Sequence, residues 1–408
     1  MKVMQIDVNY KYSSTGKIVS ELHQQLISHG HESYVLYGRG KKTKDTHVFK
    51  FGIDLETNIH AFLTRITGLT GIYSPFSTAR LIRKIKKFKP DVVHIHELHA
   101  YFVNHAKVMK YLKKKEIPTV WTFHCEYMYT GKCGYANDCT KFMTECHHCP
   151  QLNEYPKTIA LDFTRHMFRV KKKLFEGYQN LNLVTPSSWL KDRVNMSFLK
   201  DFNTQVIHNG IDTNNIFKMR NVDHLVDELK IDQENLILLS IAPNIMSNRK
   251  GGALVLKLAE KLIDFPVQFI MIGAESLDIE VPKNVILLGN MRDQTRIADF
   301  YNLADAMLLF SQKENFPTTA IESLSCGTPL LAFDTGGTRE TAQKGFGTFI
   351  PYADIKQAEK LIRDHVISKK TAELKKNCSD LYRKLYSPET MYENYEKIYL
   401  KYDPKIQK

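Results

Sequence analysis

The chain has 408 residues, of which 43% are hydrophobic and 25% charged, with a formal net charge of +13. That length points to two domains, and the balance is that of a globular chain rather than a disordered one. No apolar run reaches the length of a transmembrane helix, and the amino terminus enters a strand-like run without signal-peptide architecture, so a cytoplasmic location is expected.

The first half reads as repeated strand–helix units. Residues 3–8 form a strand candidate, and 16–28 carry helical spacing at Ile18, Leu22, Leu26 and Ile27. Strand-like runs follow at 33–37 and 48–51. A basic amphipathic helix is predicted at 79–88. Buried strands are predicted at 91–96 and 118–123, and a strand at 181–184 precedes a capped helix start at Thr185-Pro-Ser-Ser-Trp-Leu190. Strands at 236–241, 267–272, 285–288, 306–310 and 329–333 alternate with helices at 251–263, 294–302 and 320–325. This alternation implies two parallel, doubly wound sheets. The expected organisation is a first domain over 1–187 with a cysteine-rich insertion at 125–150, a linker over 188–212 with its turn at Asn209-Gly210, and a second domain over 213–387. A final helix at about 388–408 is expected to pack back on the first domain.

Charge is distributed unevenly between these halves. Residues 1–187 hold 28 Lys+Arg against 15 Asp+Glu, whereas 188–408 hold 29 of each. A negatively charged partner is therefore expected at the first half. The helix Arg80-Leu-Ile-Arg-Lys-Ile-Lys-Lys-Phe-Lys89 places Leu81, Ile82, Ile85 and Phe88 on one side. With Lys113–Lys115 and Lys171–Lys173 it suits an anionic membrane surface; a solvated face packed on its own sheet is the alternative.

The most informative stretch is Ser311-Gln-Lys-Glu-Asn-Phe-Pro-Thr-Thr-Ala-Ile-Glu-Ser-Leu-Ser-Cys-Gly-Thr-Pro329. It puts Glu314 on a loop after a strand and Glu322 inside the following helix. Ligands bind at such strand ends in open α/β sheets, and the intervening helix N-terminus suits a phosphate. Lys250, just before Gly251-Gly252 and a helix start, is the expected phosphate-binding cation.

Four features in order resemble the retaining glycosyltransferases of family 4. They are the Glu-x7-Glu pair Glu314/Glu322, Asn248-Arg-Lys-Gly-Gly252, Ile207-His-Asn-Gly-Ile-Asp212, and Gly336-Gly337 followed by Glu340. Asp91-Val-Val-His-Ile-His-Glu-Leu-His99 and Trp121-Thr-Phe-His-Cys125 further resemble a bacterial subgroup that builds surface polysaccharides such as colanic acid, O-antigen and capsule. The resemblance implies the GT-B fold, two Rossmann-like domains facing across a cleft. It implies transfer of a hexose-like sugar from a UDP-, GDP- or ADP-sugar to a lipid-linked saccharide, with retention of configuration, at the inner face of the cell membrane. The expected course is front-face attack, with the leaving phosphate helping to deprotonate the acceptor. In the family, the first glutamate contacts donor-sugar hydroxyls and the second the ribose.

The same resemblance assigns Glu314, His124 and Lys250 to catalysis. It assigns Arg249, Lys250, Glu314, Asn315, Phe316, Thr318, Thr319, Glu322 and Gly16 to donor binding. Three departures stand out. Pro317 stiffens a loop that is usually glycine-rich. Ile245 stands where the family has an arginine, leaving Arg249 as its replacement. Cys125 follows His124 where the subgroup has aspartate. His94 and His96 alternate toward one strand face and suit packing or acceptor contacts, as does His99. No Asp-x-Asp of the kind that holds a divalent ion is seen, so no cofactor is required for catalysis. Cys133, Cys139, Cys146 and Cys149 form C-x5-C-x6-C-x2-C, which suits a structural zinc site; free thiols or a disulfide pair are the alternatives. A GT-B-fold epimerase or phosphorylase, and more distantly a zinc-containing nucleic-acid-binding protein, are the competing functions. The motifs favour no nucleic-acid partner.

Overall fold

The structure is a computed structural model, in which residues 1–404 and 406 are described. The chain divides into two compact units: Met1–His208 joined by the segment from Met391 onward, and Asn209–Thr390. The first unit begins β1 (Lys2–Asp7), α1 (Ser13–Ser28), β2 (Glu32–Tyr37), β3 (Val48–Lys50), α2 (Asp54–Thr67), α3 (Pro75–Phe88) and β4 (Val92–Ile95). It continues through α4 (His105–Lys114), β5 (Thr119–Thr122), α5 (Thr164–Phe175), β6 (Leu181–Thr185), α6 (Ser188–Asn195) and β7 (Thr204–Val206). The second unit holds α7 (Asp223–Leu229), β8 (Leu236–Ile241), α8 (Gly252–Lys261), β9 (Val267–Ala274), β10 (Val285–Gly289), α9 (Gln294–Leu303) and β11 (Ala306–Leu309). Then come α10 (Thr318–Ser325), β12 (Leu330–Phe333), β13 (Gly347–Ile350), α11 (Ile355–Arg363), α12 (Ala372–Leu385) and α13 (Pro388–Tyr399).

Both sheets are parallel and doubly wound. The first runs β3-β2-β1-β4-β5-β6-β7 and the second β10-β9-β8-β11-β12-β13. In each, the strand order reverses beside its first strand: between β1 and β4, where Gln5 pairs with His94, and between β8 and β11, where Leu239 pairs with Met307. These reversals fix where loops splay apart and leave room for a ligand.

Strands buried on both faces explain the near-continuous apolar runs. On the first sheet Met4, Ile6, Val93, Ile95 and Trp121 face a core that α3, α4 and α5 cover. Val3, Val92, Val120 and Val184 face the opposite core, covered by Ile18, Leu22 and Leu26 of α1 and by Tyr392, Tyr395 and Tyr399 of α13. The tyrosine hydroxyls reach the sheet: Tyr395 meets Thr122 Oγ1 at 2.8 Å and Tyr399 meets His94 Nδ1 at 2.7 Å. In the second unit, Ile237, Leu239 and Ile241 pack toward α9, α10 and α12, and Leu236 and Leu238 toward α8 and α11.

Four expectations are corrected. The segment expected as linker is largely folded: α6 and β7 extend the first sheet, because Ser187 caps α6 through Leu190 N at 3.1 Å and Leu183–Thr185 pair with Thr204–Val206. The chain enters the second unit only at Asn209, and that unit ends at Thr390 rather than 387. The apolar side of α3 is not open to lipid, since Leu81 and Ile85 are core and Phe88 stacks on Tyr34 at 4.4 Å. Lys171 is also unavailable to a membrane, being fully buried with Nζ on the carbonyls of Tyr127 and Thr130.

Candidate active site

In the second unit, the loop after β8 and the loop after β11 flank the strand-order reversal, so their polar groups meet. Lys250 Nζ lies 2.6 Å from Glu314 Oε1, and Arg249 lies 3.3 Å from the same oxygen. The loops are also tied through the backbone, Gln312 N donating to Arg249 O at 2.8 Å. Two glycines permit this approach. Gly251 has φ +74°, and a Cβ there would sit 2.0 Å from Phe310 O. Gly336 has φ +61°, and a Cβ there would sit 1.8 Å from Glu314 O. Neither position tolerates a side chain without moving the loop that carries Glu314.

Glu314 is buried, at 6% exposure. Burial pushes its carboxyl up, but Lys250 and then Arg249 outweigh that and hold it below the ordinary value. The group is thus an ionised acceptor, suited to hydroxyl donors. Glu322 lies in α10, buried, with Oε2 accepting from Tyr301 OH at 3.0 Å. Pro317 precedes α10 in extended conformation, and Thr318 and Thr319 open the helix half-buried. Phe316 is buried and packs edge-on against Tyr386, so only its backbone can face a ligand. Asn315 is buried on the same loop. Ile245, at the position the family gives to arginine, is wholly in the core, and the neighbouring cation is Arg249.

The first unit has its own cluster at the reversal between β1 and β4. Asp7 ends β1, and its carboxylate accepts from Glu97 N at 3.1 Å, Thr15 Oγ1 at 3.2 Å and Asn9 N at 3.3 Å. Burial and then the nearby Glu97 raise Asp7 to about 7. His99 Nε2 lies 2.6 Å from Glu97 Oε2. Burial opposes ionisation of both, yet each favours charge on the other: His99 is raised well above the usual histidine range and Glu97 is lowered. His124, after β5, stacks on His96 with Nε2 3.2 Å from its Nδ1. Burial lowers His124 to about 4, against a smaller upward pull from Glu97. Cys125 Sγ lies 3.9 Å from Glu97 Oε2, so Glu97 is the carboxylate beside this histidine where the subgroup has aspartate. His94 is bound between Tyr399 and Thr122 and belongs to the packing. Gly16 lies in the first turns of α1, which starts at Ser13 rather than at Gly16; its Cα packs against Asn9, where a Cβ would meet backbone at 3.2 Å.

Asp7 and Tyr301 were not singled out in the sequence, and Glu97 was seen only inside a histidine motif. The available signal was an acid ending an otherwise apolar strand. Cys133, Cys139, Cys146 and Cys149 all line one cavity of the insertion. Among the described residues, the triad with ligand atoms within 4.8 Å of one another is a different one, Glu97, His99 and Cys125.

Two parallel Rossmann-like sheets, with an acid–base pair at the second reversal and a histidine–carboxylate cluster at the first, define a GT-B glycosyltransferase fold. The model for Glycosyltransferase Family 4 matches residues 15–215, and that for Glycosyl transferases group 1 matches 221–383. The chain belongs to the family 4 glycosyltransferases. It is 24% identical over 98% of its length, and 99% of the relative's, to WcaC of Escherichia coli (strain K12), provisionally named a colanic acid biosynthesis glycosyl transferase. Among solved structures it is similar to sucrose-phosphate synthase of Thermosynechococcus elongatus, with TM-score 0.68, 15% identity and 98% of each chain covered. It is also similar to Anabaena HepE in complex with UDP-glucose, with TM-score 0.64 and 15% identity over 98% of this chain and 99% of that one.

Proposed function

We propose that the protein is a retaining glycosyltransferase that moves a sugar from a nucleotide-sugar donor to a lipid-linked saccharide in bacterial surface polysaccharide synthesis. The observation that carries this reading is the Lys250–Glu314 pair at the strand-order reversal of the second sheet, at 2.6 Å, with Glu322 about one turn into α10. WcaC, named for colanic acid biosynthesis, and HepE, solved with UDP-glucose, support the substrate classes.

Each residue's part follows from its chemistry. Ionised Glu314 accepts hydrogen bonds from donor-sugar hydroxyls, and Glu322 accepts from the ribose. Lys250 and Arg249 supply positive charge to the diphosphate as the glycosidic bond breaks, with the N-terminus of α10 at Thr318 and Thr319 adding fixed N–H dipoles. Charge aimed at the leaving group lowers the barrier without a metal ion. His124 is neutral near pH 7 by virtue of burial and can donate to or accept from a hydroxyl of sugar or acceptor. Gly16 lets α1 lie close against Asn9 of the loop after β1. Retention follows if the leaving phosphate takes the acceptor proton on the face from which it departs.

The membrane contact falls on α2. Its exposed residues Leu55, Ile59, Phe62 and Ile66 recur on one helical face, and Phe76 at the start of α3 is 71% exposed. The basic excess of the first half adds attraction to anionic headgroups.

A thermal-shift screen against UDP-, GDP- and ADP-sugars tests the donor. One sugar nucleotide at a hundredfold its Kd should add about 2.7 kcal/mol of stability. Glu314→Ala should keep the fold and lose transfer, and the product anomer is read by NMR. Near-normal turnover in Glu314→Ala defeats the reading, and an inverted product defeats retention.

A further inference from the structure

Between Cys125 and α5 runs a segment of nearly forty residues whose regular structure is two short 3-10 turns, at Tyr127–Tyr129 and Lys141–Met143. So long an irregular segment needs something besides its own backbone ladder to hold it. Much of its order comes from cations on carbonyls. Lys132 Nζ donates to the carbonyls of Gln151, Leu152 and Glu154 at 3.2, 2.7 and 3.0 Å. Lys171 Nζ donates to Tyr127 O at 2.6 Å and Thr130 O at 3.1 Å, and lies 3.5 Å from the Tyr127 ring centre.

Both ammonium groups are buried, at 1% and 0% exposure. Among the described residues, the contacts of Lys171 Nζ are backbone carbonyls and the Tyr127 ring. Those of Lys132 Nζ are three backbone carbonyls. A buried cation without a carboxylate is costly unless something anionic stands near it. The four insertion cysteines line one cavity together with Lys132, and none of them is in a disulfide. Cys146 Sγ accepts from Gly131 N at 3.2 Å, the kind of N–H···S bond that orients a ligating thiolate.

We infer that Cys133, Cys139, Cys146 and Cys149 bind a structural zinc ion, whose tetrathiolate centre is a net dianion balanced by the ammonium groups of Lys132 and Lys171. Four thiols deprotonate on binding, their protons pass to solvent, and no redox step is involved. Zinc–sulfur bonds of about 2.3 Å draw the sulfurs to within about 3.8 Å of one another. Among the described residues no three of them are yet within 4.8 Å, so binding contracts the loop around the ion. The ion fastens the segment that begins one residue after Cys125, and with it buried Glu126. That carboxylate pairs with Arg193 of α6 at 2.7 Å and accepts from Ala136 N at 2.7 Å. The knot therefore also steadies the backbone that presents His124, without touching substrate.

The test is metal content of the full chain, independent of any transfer assay. Elemental analysis after dialysis against metal-free buffer should give one zinc per chain. A mercurial should release it stoichiometrically to a chromophoric chelator, and its removal should lower Tm. Cobalt substitution should give the sulfur-to-cobalt charge-transfer band of a tetrahedral tetrathiolate. Cys133→Ser, Cys139→Ser, Cys146→Ser and Cys149→Ser should each abolish stoichiometric zinc. Cys125→Ser should retain it, which separates this site from the Glu97–His99–Cys125 triad. Metal-free wild-type chain with four freely alkylated thiols, a disulfide within the quartet, iron in place of zinc, or zinc lost only in Cys125→Ser would each overturn the assignment.

Discussion

At the scale of single residues, the contact between Lys250 and Glu314 fixes the charge at the strand-order reversal of the second sheet. Glu314 is nearly buried and stays ionised because Lys250 and Arg249 outweigh desolvation. Lys250→Met removes the stronger partner and leaves the carboxylate with Arg249 alone. The expected loss of stability is about 1–3 kcal/mol, because an unpaired charge remains in a buried place. Glu314→Gln should cost a similar amount by stranding the ammonium. The double variant Lys250→Met/Glu314→Gln, with neither charge, should lose clearly less than the sum, a coupling of about 1 kcal/mol or more in urea unfolding. Transfer should fall by about a hundredfold or more in all three, since charge on the leaving diphosphate is lost or misplaced. Strict additivity in the cycle would show that the pair is not coupled in solution. Lys250 and Glu314 were each legible as single residues, from Lys-Gly-Gly and Glu-x7-Glu, though their contact, which joins two loops 64 positions apart, was not foreseen. Asp7 with Glu97 was not legible either, because they meet only across neighbouring strands, ninety positions apart in the chain.

At the scale of elements, amphipathicity alone did not decide legibility: α4, α5, α11 and α12 each bury one face, yet none was among the expected helices. Helix α3 could be read from its period over 79–88, four residues short of its start at Pro75. Helix α2 could not, because its pattern is inverted: Thr57, His60 and Thr64 are buried while Leu55, Ile59, Phe62 and Ile66 face out. His60 and Ser74 form a buried 2.7 Å hydrogen bond that satisfies this polar interior. A rule that turns apolar residues inward assigns such a helix wrongly. Strands β7 and β13 were missed for another reason: they are short edge strands, too brief to show a period. The inversion of α2 is also what supports its proposed membrane contact. Ile59→Asp/Phe62→Asp should weaken binding to phosphatidylglycerol vesicles about tenfold or more, since each side chain contributes on the order of 1.5–3 kcal/mol when it leaves water. Stability in solution should change by less than about 0.5 kcal/mol per site, because neither side chain is packed. Vesicle sedimentation indistinguishable from wild type would remove α2 from the interface.

At the scale of the whole molecule, the two units differ in how they meet acid. Burial lowers His23, His60 and His124 to about 4, His105 to about 3, and His94 and His96 well below the usual range. All six lie in the first unit. Between pH 6.5 and about 4 the unfolded first unit takes up protons on these rings while the folded one does not, so its stability falls as pH falls. Asp7 works the other way: raised to about 7, it holds a proton in the folded state from 3.8 upward, so its contribution is lost as pH rises to 7 and partly offsets the histidines in acid. His99, raised by Glu97, is protonated in both states below 6.5 and does not alter the slope there. The net is several protons, so the first unit should lose more than about 1.4 kcal/mol per pH unit, the value for one proton, on going from pH 6.5 to 4.5. Calorimetry at pH 7.5, 6.5, 5.5 and 4.5 should resolve one transition moving down steeply while a second moves little. The second transition should be the one that a bound sugar nucleotide shifts, because Lys250, Glu314 and Glu322 lie in the unit that lacks the six histidines. A single transition with a shallow pH slope would mean that those rings take up protons in the folded state after all, and the neutral His124 assigned to the reaction would fall with them.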